Sequence, residues 1–246
     1  MEPIFRKEFT VTPAQTDCFG RLRPAGILYF AQEAAGGHCR LLGVDWDTLM
    51  QRRLFWAVLR YRVEVSRLPR SGEKITVETW PMPTTRTAFP RSTVAYDEAG
   101  NELFRAIGLW VLMDGEQRRM VLPGKSGVAL EGTCRGNELS VPGSLLPFEG
   151  SNQFRRQVMY SELDRNAHMN NTRYMDWVDD LLPAAFHRDR PIRGFTVCYL
   201  DEATEGEVVD LSWQLLDGPV LQVDAHRETA AVPREKTRVF TVRMEF

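Results

Sequence analysis

Apolar residues recur along this chain in two rhythms, one of a helix and one of strands. Beyond Pro24 they fall at Ile27, Ala31, Ala34, Ala35, Leu41 and Leu42, the spacing that gives a helix one apolar face. Pro24 suits a first helical turn and Gly43 a C-terminal stop. The period then shortens toward two in residues 55–65, 74–80, 92–96 and 103–113, which predict strands. A second helical spacing runs through Tyr174, Trp177, Val178, Leu181 and Leu182. Asn170 or Asn171 can cap its start, and Pro183 discourages its continuation. Strand-like runs follow again at 195–200, 208–215, 221–228 and 238–246.

The two sets form a weak internal repeat. Asp17-Cys18-Phe19-Gly20-Arg21-Leu22 lies over Asp164-Arg165-Asn166-Ala167-His168-Met169 at an offset of 147, each just before its helix. Gly72-Glu73 lies over Gly206-Glu207 at an offset of 134, each just before a strand, so the second copy is shorter after its helix. Residues 123–152 are rich in Gly, Pro and Ser and carry little periodicity. The expected organisation is an N-terminal unit over 1–125, a linker over 126–150 and a C-terminal unit over 151–246. Each unit reads as a strand, one long helix and several antiparallel strands, an α+β layout with the helix covered by a curved sheet.

Composition narrows the function classes. The 246 residues hold 43% hydrophobic and 26% charged residues, and their charges balance to −2, so no basic field points to nucleic acid or a membrane surface. No run approaches the ~20 apolar residues of a membrane helix, and the opening MEPIFRKEFTV lacks a signal layout, so the expectation is a soluble cytoplasmic protein. Cys18, Cys39, Cys134 and Cys198 are far apart, which fits reduced structural thiols better than a zinc knuckle or disulfide scaffold. No GxGxxG, P-loop or GxSxG pattern is present.

The candidate chemistry lies in residues 160–171. Asp164, Asn166 and His168 alternate there, and an extended segment would turn all three to one side. A carboxylate can polarise water, an amide can donate to a developing oxyanion, and an imidazole can move protons near neutral pH. The N–H groups of the following helix start would favour the same negative oxygen. The first copy has Asp17, Phe19 and Arg21 at these positions, so it keeps the acid and lacks the amide and imidazole. The alternative is structural: Asp164, Asn166 and Asn170 as turn and cap residues and His168 as a surface histidine. His38 reads as a packed or half-buried helix residue, His187 and His226 have no evident companions, and Cys198 reads as a buried inert thiol.

The chain resembles the acyl-acyl-carrier-protein thioesterases of bacteria and plants. The resemblance begins at residues 16–22, continues through Glu64-Val65 and Gly72-Glu73, and is strongest over 163–174. There the family pattern Asp-x-Asn-x-His-x-Asn-Asn, followed by a helix with an early Tyr, is matched at every fixed position. It implies two tandem hotdog units, each a long helix wrapped by a curved antiparallel sheet. It implies a catalytic set of Asp164, Asn166, His168 and Glu202, the last from the family's Tyr-x-x-Glu-Cys context, here Tyr199-Leu200-Asp201-Glu202-Ala203. Ala203 stands where the family carries a cysteine once taken as nucleophile, so a cysteine mechanism has no support here. The first-copy counterpart of Glu202 is Leu68, and of the neighbours Asp201 and Glu202 only one should serve.

The implied reaction is hydrolysis of a fatty acyl thioester on the 4'-phosphopantetheine arm of acyl carrier protein, without metal or cofactor. The acyl chain is expected in the N-terminal unit near Ile27, Phe30, Phe55, Trp56 and Trp110. An acidic carrier would dock on a basic face drawn from Arg52, Arg53, Arg60, Arg62, Arg67, Arg70 and Lys74. Rival readings are an acyl-CoA thioesterase of the same fold, a hotdog dehydratase and a non-catalytic acyl-thioester binder. Monomer and homodimer both remain open, since a double hotdog already contains the pair that single hotdogs form by dimerising.

Overall fold

The structure is a computed structural model and describes residues 3–228 and 236–246. Two compact units emerge, one of residues up to Leu22 with Gly26–Pro142, the other of Arg23–Ala25 with Gly143–Phe246.

The N-terminal unit contains β1 (Phe5–Thr10), α1 (Pro24–Leu41), α2 (Trp46–Met50), β2 (Leu54–Val65), β3 (Lys74–Pro81), β4 (Phe89–Tyr96), β5 (Glu102–Asp114), β6 (Met120–Val121) and α3 (Pro123–Ser126). Its antiparallel strands pair in the order β1-β3-β4-β5-β2, with β6 against the end of β5. Helix α1 buries Ile27, Ala31, Ala34 and Ala35 of the face its spacing predicts, together with Leu28 and Phe30, while Leu41 at its end is exposed. It stops where Gly43 takes φ +68°, a left-handed conformation that glycine adopts without strain.

The C-terminal unit contains β7 (Asn152–Gln157), α4 (Arg173–Asp179), α5 (Ala184–Asp189), β8 (Gly194–Tyr199), β9 (Val208–Leu216), β10 (Val220–Glu228) and β11 (Lys236–Glu245). Its strands pair β7-β9-β10-β11-β8, the order of the first unit strand for strand. The expectation of a long helix in each copy holds only for the first. A proline at 183 cannot donate to the Asp179 carbonyl four residues back. His187 Nε2 approaches that carbonyl instead, at 3.0 Å, and the helix breaks into α4 and α5.

The segment read as a linker has no regular structure after α3, yet its first part is fastened to strands of the N-terminal unit and its last part to strands of the C-terminal unit. On the first, Thr133 N–H donates to the Pro81 carbonyl, Arg135 pairs with Glu78 at 2.7 Å, and Arg105 donates to the Asn137 carbonyl at 3.0 Å. On the second, Phe148 N–H donates to the buried carboxylate of Asp224 at 2.9 Å and Gly150 N–H to Ser212 Oγ at 2.7 Å.

Candidate active site

The segment carrying Asp164, Asn166 and His168 is not extended, which corrects the premise that the three share one side of a strand. It is a tight turn closed by an isolated bridge between Leu163 and Met169. Asp164 N–H donates to the His168 carbonyl at 2.8 Å and Ala167 N–H to the Asp164 carbonyl at 3.1 Å. Asp164 Oδ1 accepts from the backbone N–H groups of Asn166 at 2.7 Å and His168 at 3.4 Å. Asp164 therefore shapes the turn, the role Asp commonly takes in such loops. Ala167 completes it with φ +60°.

Backbone pairing brings the turn to the loop after β8. Met169 N–H donates to the Ala203 carbonyl at 2.8 Å, and His168 forms a bridge with Thr204. Glu202 consequently lies with Oε2 3.5 Å from His168 Nε2. That is long for a direct hydrogen bond, but catalytic contacts are often loose before substrate arrives. The neighbouring Asp201 is engaged elsewhere, by Arg227 at 2.6 Å. Asn166 is half-buried, and its side-chain amide has no hydrogen-bond partner among the described residues.

The helix start is less open than its position suggests. Thr172 N–H donates to Asn170 Oδ1, Arg173 N–H to the Asn170 carbonyl and Met175 N–H to the Thr172 carbonyl. Behind it, Tyr174 packs against Phe240 with ring centroids 4.8 Å apart, and Tyr199 donates its hydroxyl to the Asn171 carbonyl at 2.8 Å. Burial pushes the Tyr174 phenol well above its ordinary range, so it stays neutral. Trp177 Nε1 donates to Glu162 at 2.7 Å. Arg227 and Glu162 carry no motif of their own; Tyr174 and Tyr199 are signalled, as the early Tyr of the helix and the first residue of the Tyr-x-x-Glu context.

The first copy repeats this backbone without the chemistry. Asp17 N–H donates to the Arg21 carbonyl at 2.8 Å, and Asp17 Oδ1 accepts from Phe19 and Arg21 N–H at 2.9 Å each. Where the second copy has the imidazole, Arg21 pairs with Asp17 at 3.0 Å and lies over the Phe19 ring. Gly20 takes the left-handed position, φ +73°.

The residues expected around the acyl chain all fall in the N-terminal unit. Trp56 and Trp110 pack on the cluster of Leu49, Leu54, Phe89 and Leu112. Ile27 and Phe30 are buried on α1, and Phe55 stands near Trp46. The same unit holds a buried cation that no sequence pattern announced. Arg91 is 7% exposed and is met by His38 Nδ1 at 3.2 Å, Thr79 Oγ1 at 3.4 Å and Cys39 Sγ at 3.9 Å, without a carboxylate among the described residues. Burial raises the Cys39 thiol above its ordinary value, against the pull of Arg91.

Most of the basic residues expected to face a carrier are engaged within the unit. Arg52 donates to the Ser126 carbonyl, Arg53 pairs with Glu116, Arg60 holds the Pro142 carbonyl, Arg62 holds Ser140 and Glu64, and Arg67 pairs with Glu73 and Asp97. Arg70 and Lys74 are exposed and form no ion pair among the described residues. Within the same limits, no group of three His, Cys, Asp or Glu converges as metal ligands would, and no helix is long and apolar enough to cross a membrane.

Two helix-and-sheet units of identical strand order in one chain define a double hotdog protein. The solved acyl-ACP thioesterase from Bacteroides thetaiotaomicron superposes with a TM-score of 0.83 at 21% identity, covering 99% of this chain and 98% of that one. The 12:0-ACP thioesterase from Umbellularia californica gives 0.83 at 23%, covering 100% and 97%. The family model of the acyl-ACP thioesterase N-terminal domain matches residues 2–122, and that of the C-terminal domain matches 147–238. The chain belongs to the acyl-ACP thioesterase family. Among curated relatives, a chloroplastic dodecanoyl-[acyl-carrier-protein] hydrolase of Cinnamomum camphora is 25% identical over 221 residues, 84% of this chain and 58% of the relative. A chloroplastic oleoyl-acyl carrier protein thioesterase of Coriandrum sativum is 26% identical over 203 residues, 75% of this chain and 55% of the relative. The chain thus spans little more than half the length of these plant relatives.

Proposed function

We propose that the chain hydrolyses fatty acyl thioesters carried on the 4'-phosphopantetheine arm of acyl carrier protein, releasing free fatty acid and the carrier thiol in the cytoplasm. The observation that carries this reading is the approach of Glu202 to His168 in the unit matched by the family's C-terminal domain. Water held by this pair attacks the thioester carbon and gives its proton to the pair. The C–S bond then breaks, and the departing sulfur takes a proton back. The unpartnered amide of Asn166 supplies a donor for the carbonyl oxygen as it turns negative, while Asp164 holds the turn that presents both groups. The acyl chain is assigned to the N-terminal unit around Trp56 and Trp110, and Arg70 with Lys74 is the part of the expected basic face left for an acidic carrier. Cofactor, nucleic acid and membrane insertion have no part in the reading.

The test is fatty acid release from a panel of acyl-carrier-protein substrates beside the matching acyl-CoAs, with Glu202→Gln as control. Release that favours the carrier and collapses in the control supports both reaction and site. No release from either donor by folded protein leaves a binding role in its place.

A further inference from the structure

The loop that carries Glu202 is held by a guanidinium from a neighbouring strand. Arg227, near the end of β10, donates Nη1 to the Glu202 backbone carbonyl and to Glu207 Oε2 at 2.8 Å, and Nη2 to Asp201 Oδ2 at 2.6 Å. Its side chain is 19% exposed. Besides its pairing with the His168 turn, the loop is anchored on β11, where the Val239 carbonyl accepts from the N–H groups of Leu200 at 2.8 Å and Asp201 at 3.0 Å. Val239 is the extra residue of a bulge in the β10–β11 ladder, where the register shifts between Ala225 and His226. Bulges commonly re-aim side chains beside functional sites.

The first unit contains the same device with its charges exchanged. Its register shift lies between Ala95 and Tyr96, and the Leu103 carbonyl accepts from Ser66 at 2.9 Å and Arg67 at 3.0 Å. There the loop contributes the arginine. Arg67 donates to Glu73 Oε2 at 3.0 Å and approaches Asp97 at 3.5 Å. Thus Arg67 and Asp97 of one copy answer to Asp201 and Arg227 of the other, while Glu73 and Glu207 are shared. An ion pair alone survives such an exchange. What the exchange adds in the second copy is the bond to the carbonyl of Glu202, the residue that faces His168.

We propose that Arg227 is a positioning residue for Glu202, setting the backbone from which its carboxylate reaches His168; this rests on the catalytic reading of Glu202 above. Four variants test it on the acyl-carrier-protein substrate that the wild type turns over fastest. Arg227→Met should lower kcat about 10- to 100-fold with little change in KM, as expected when a reacting group is displaced by around an ångström. Combined with Glu202→Gln it should be no slower than Glu202→Gln alone, because both act through one group. The exchanged pair Asp201→Arg with Arg227→Asp, which reproduces the first copy's clamp, should recover the wild-type Tm without recovering kcat. Recovery of kcat together with Tm, full activity of Arg227→Met, or multiplicative losses in the double variant would each overturn the proposal. If Glu202→Gln is slow while Arg227→Met is unaffected, only the positioning role is lost. If Glu202→Gln is fully active, the reading beneath it goes too.

Discussion

The turns at residues 16–22 and 163–169 share a backbone and differ in almost everything else. Each begins with an aspartate whose Oδ1 gathers two N–H groups, places a left-handed residue in fourth position and closes through an antiparallel bridge. In one the amide and imidazole are absent and a guanidinium folds back on its own aspartate; in the other an imidazole faces a carboxylate from the next loop. The aspartate's hydrogen bonds thus belong to the shared backbone, whereas the copies part at the residues two and four positions on, where the proposed chemistry would lie.

The sharpest way to break this comparison is to remove the distinguishing groups. His168→Ala or Glu202→Gln should lower turnover by ~10²-fold or more, while Arg21→Ala and Leu68→Ala leave kcat within a few-fold. Comparable losses from both turns would mean that the copies are not divided as described. Removing the shared group should act on stability in both. Asp17→Ala and Asp164→Ala each strand two backbone donors and should cost about 1–3 kcal/mol in urea denaturation. Asp164→Asn, whose amide oxygen can still accept both, should fold close to the parent, so any activity it loses reports on charge alone.

A smaller effect distinguishes the fourth positions. Gly20→Ala places a Cβ in open space but in left-handed backbone, and should cost about 1 kcal/mol. Ala167→Gly should gain about as much, since the same left-handed strain and the same chain entropy of glycine enter with opposite sign. A clearly unequal response at the two sites would show that the two turns differ in strain. The smallest effect concerns Asp176, whose carboxyl is pushed up by burial despite Arg173. The folded state then holds its proton more tightly than the unfolded state, so its contribution weakens as pH rises from the ordinary carboxylate pKa through the raised folded value. Asp176→Asn should therefore raise the urea midpoint at pH 7 and lose that advantage toward pH 4; an advantage that grows on acidification would contradict the assignment.

Much of this architecture is legible in the chain. The strands β2, β3, β5 and β8 to β11 lie within a few residues of the runs read from alternation, because each has a buried face that forces it. Strand β7 is Asn152–Gln157, largely exposed and polar, and no apolar rhythm marks it. The short α2, α3 and α5 are too brief for a helical period to register. At the site, the motif around His168 was plain, but its geometry was not: alternation presumes an extended chain, and a positive φ at Ala167 turns it instead. The clamp of Arg227 stayed hidden because exchanged charges look like mismatch when the copies are aligned. Arg91 was invisible for a simpler reason, since an arginine in a strand normally signals solvent.

The bulge at Val239 acts as a frame marker for β11. Before and after it the partners in β10 are counted on different tallies: Phe240 opposes Ala225, whereas Arg238 opposes His226. Because Arg238 and Phe240 already oppose consecutive residues of β10, deleting Val239 would close the ladder into a regular one with both side chains on their present faces. Arg238 would keep its pairing with the fully buried Asp224, at 2.8 Å, even as the Val239 carbonyl is removed. The loop of Glu202 would lose its carbonyl anchor in the same stroke. A single-residue deletion here is thus neutral to the ladder and felt by the loop: what the extra residue contributes is a carbonyl that holds the segment carrying Glu202.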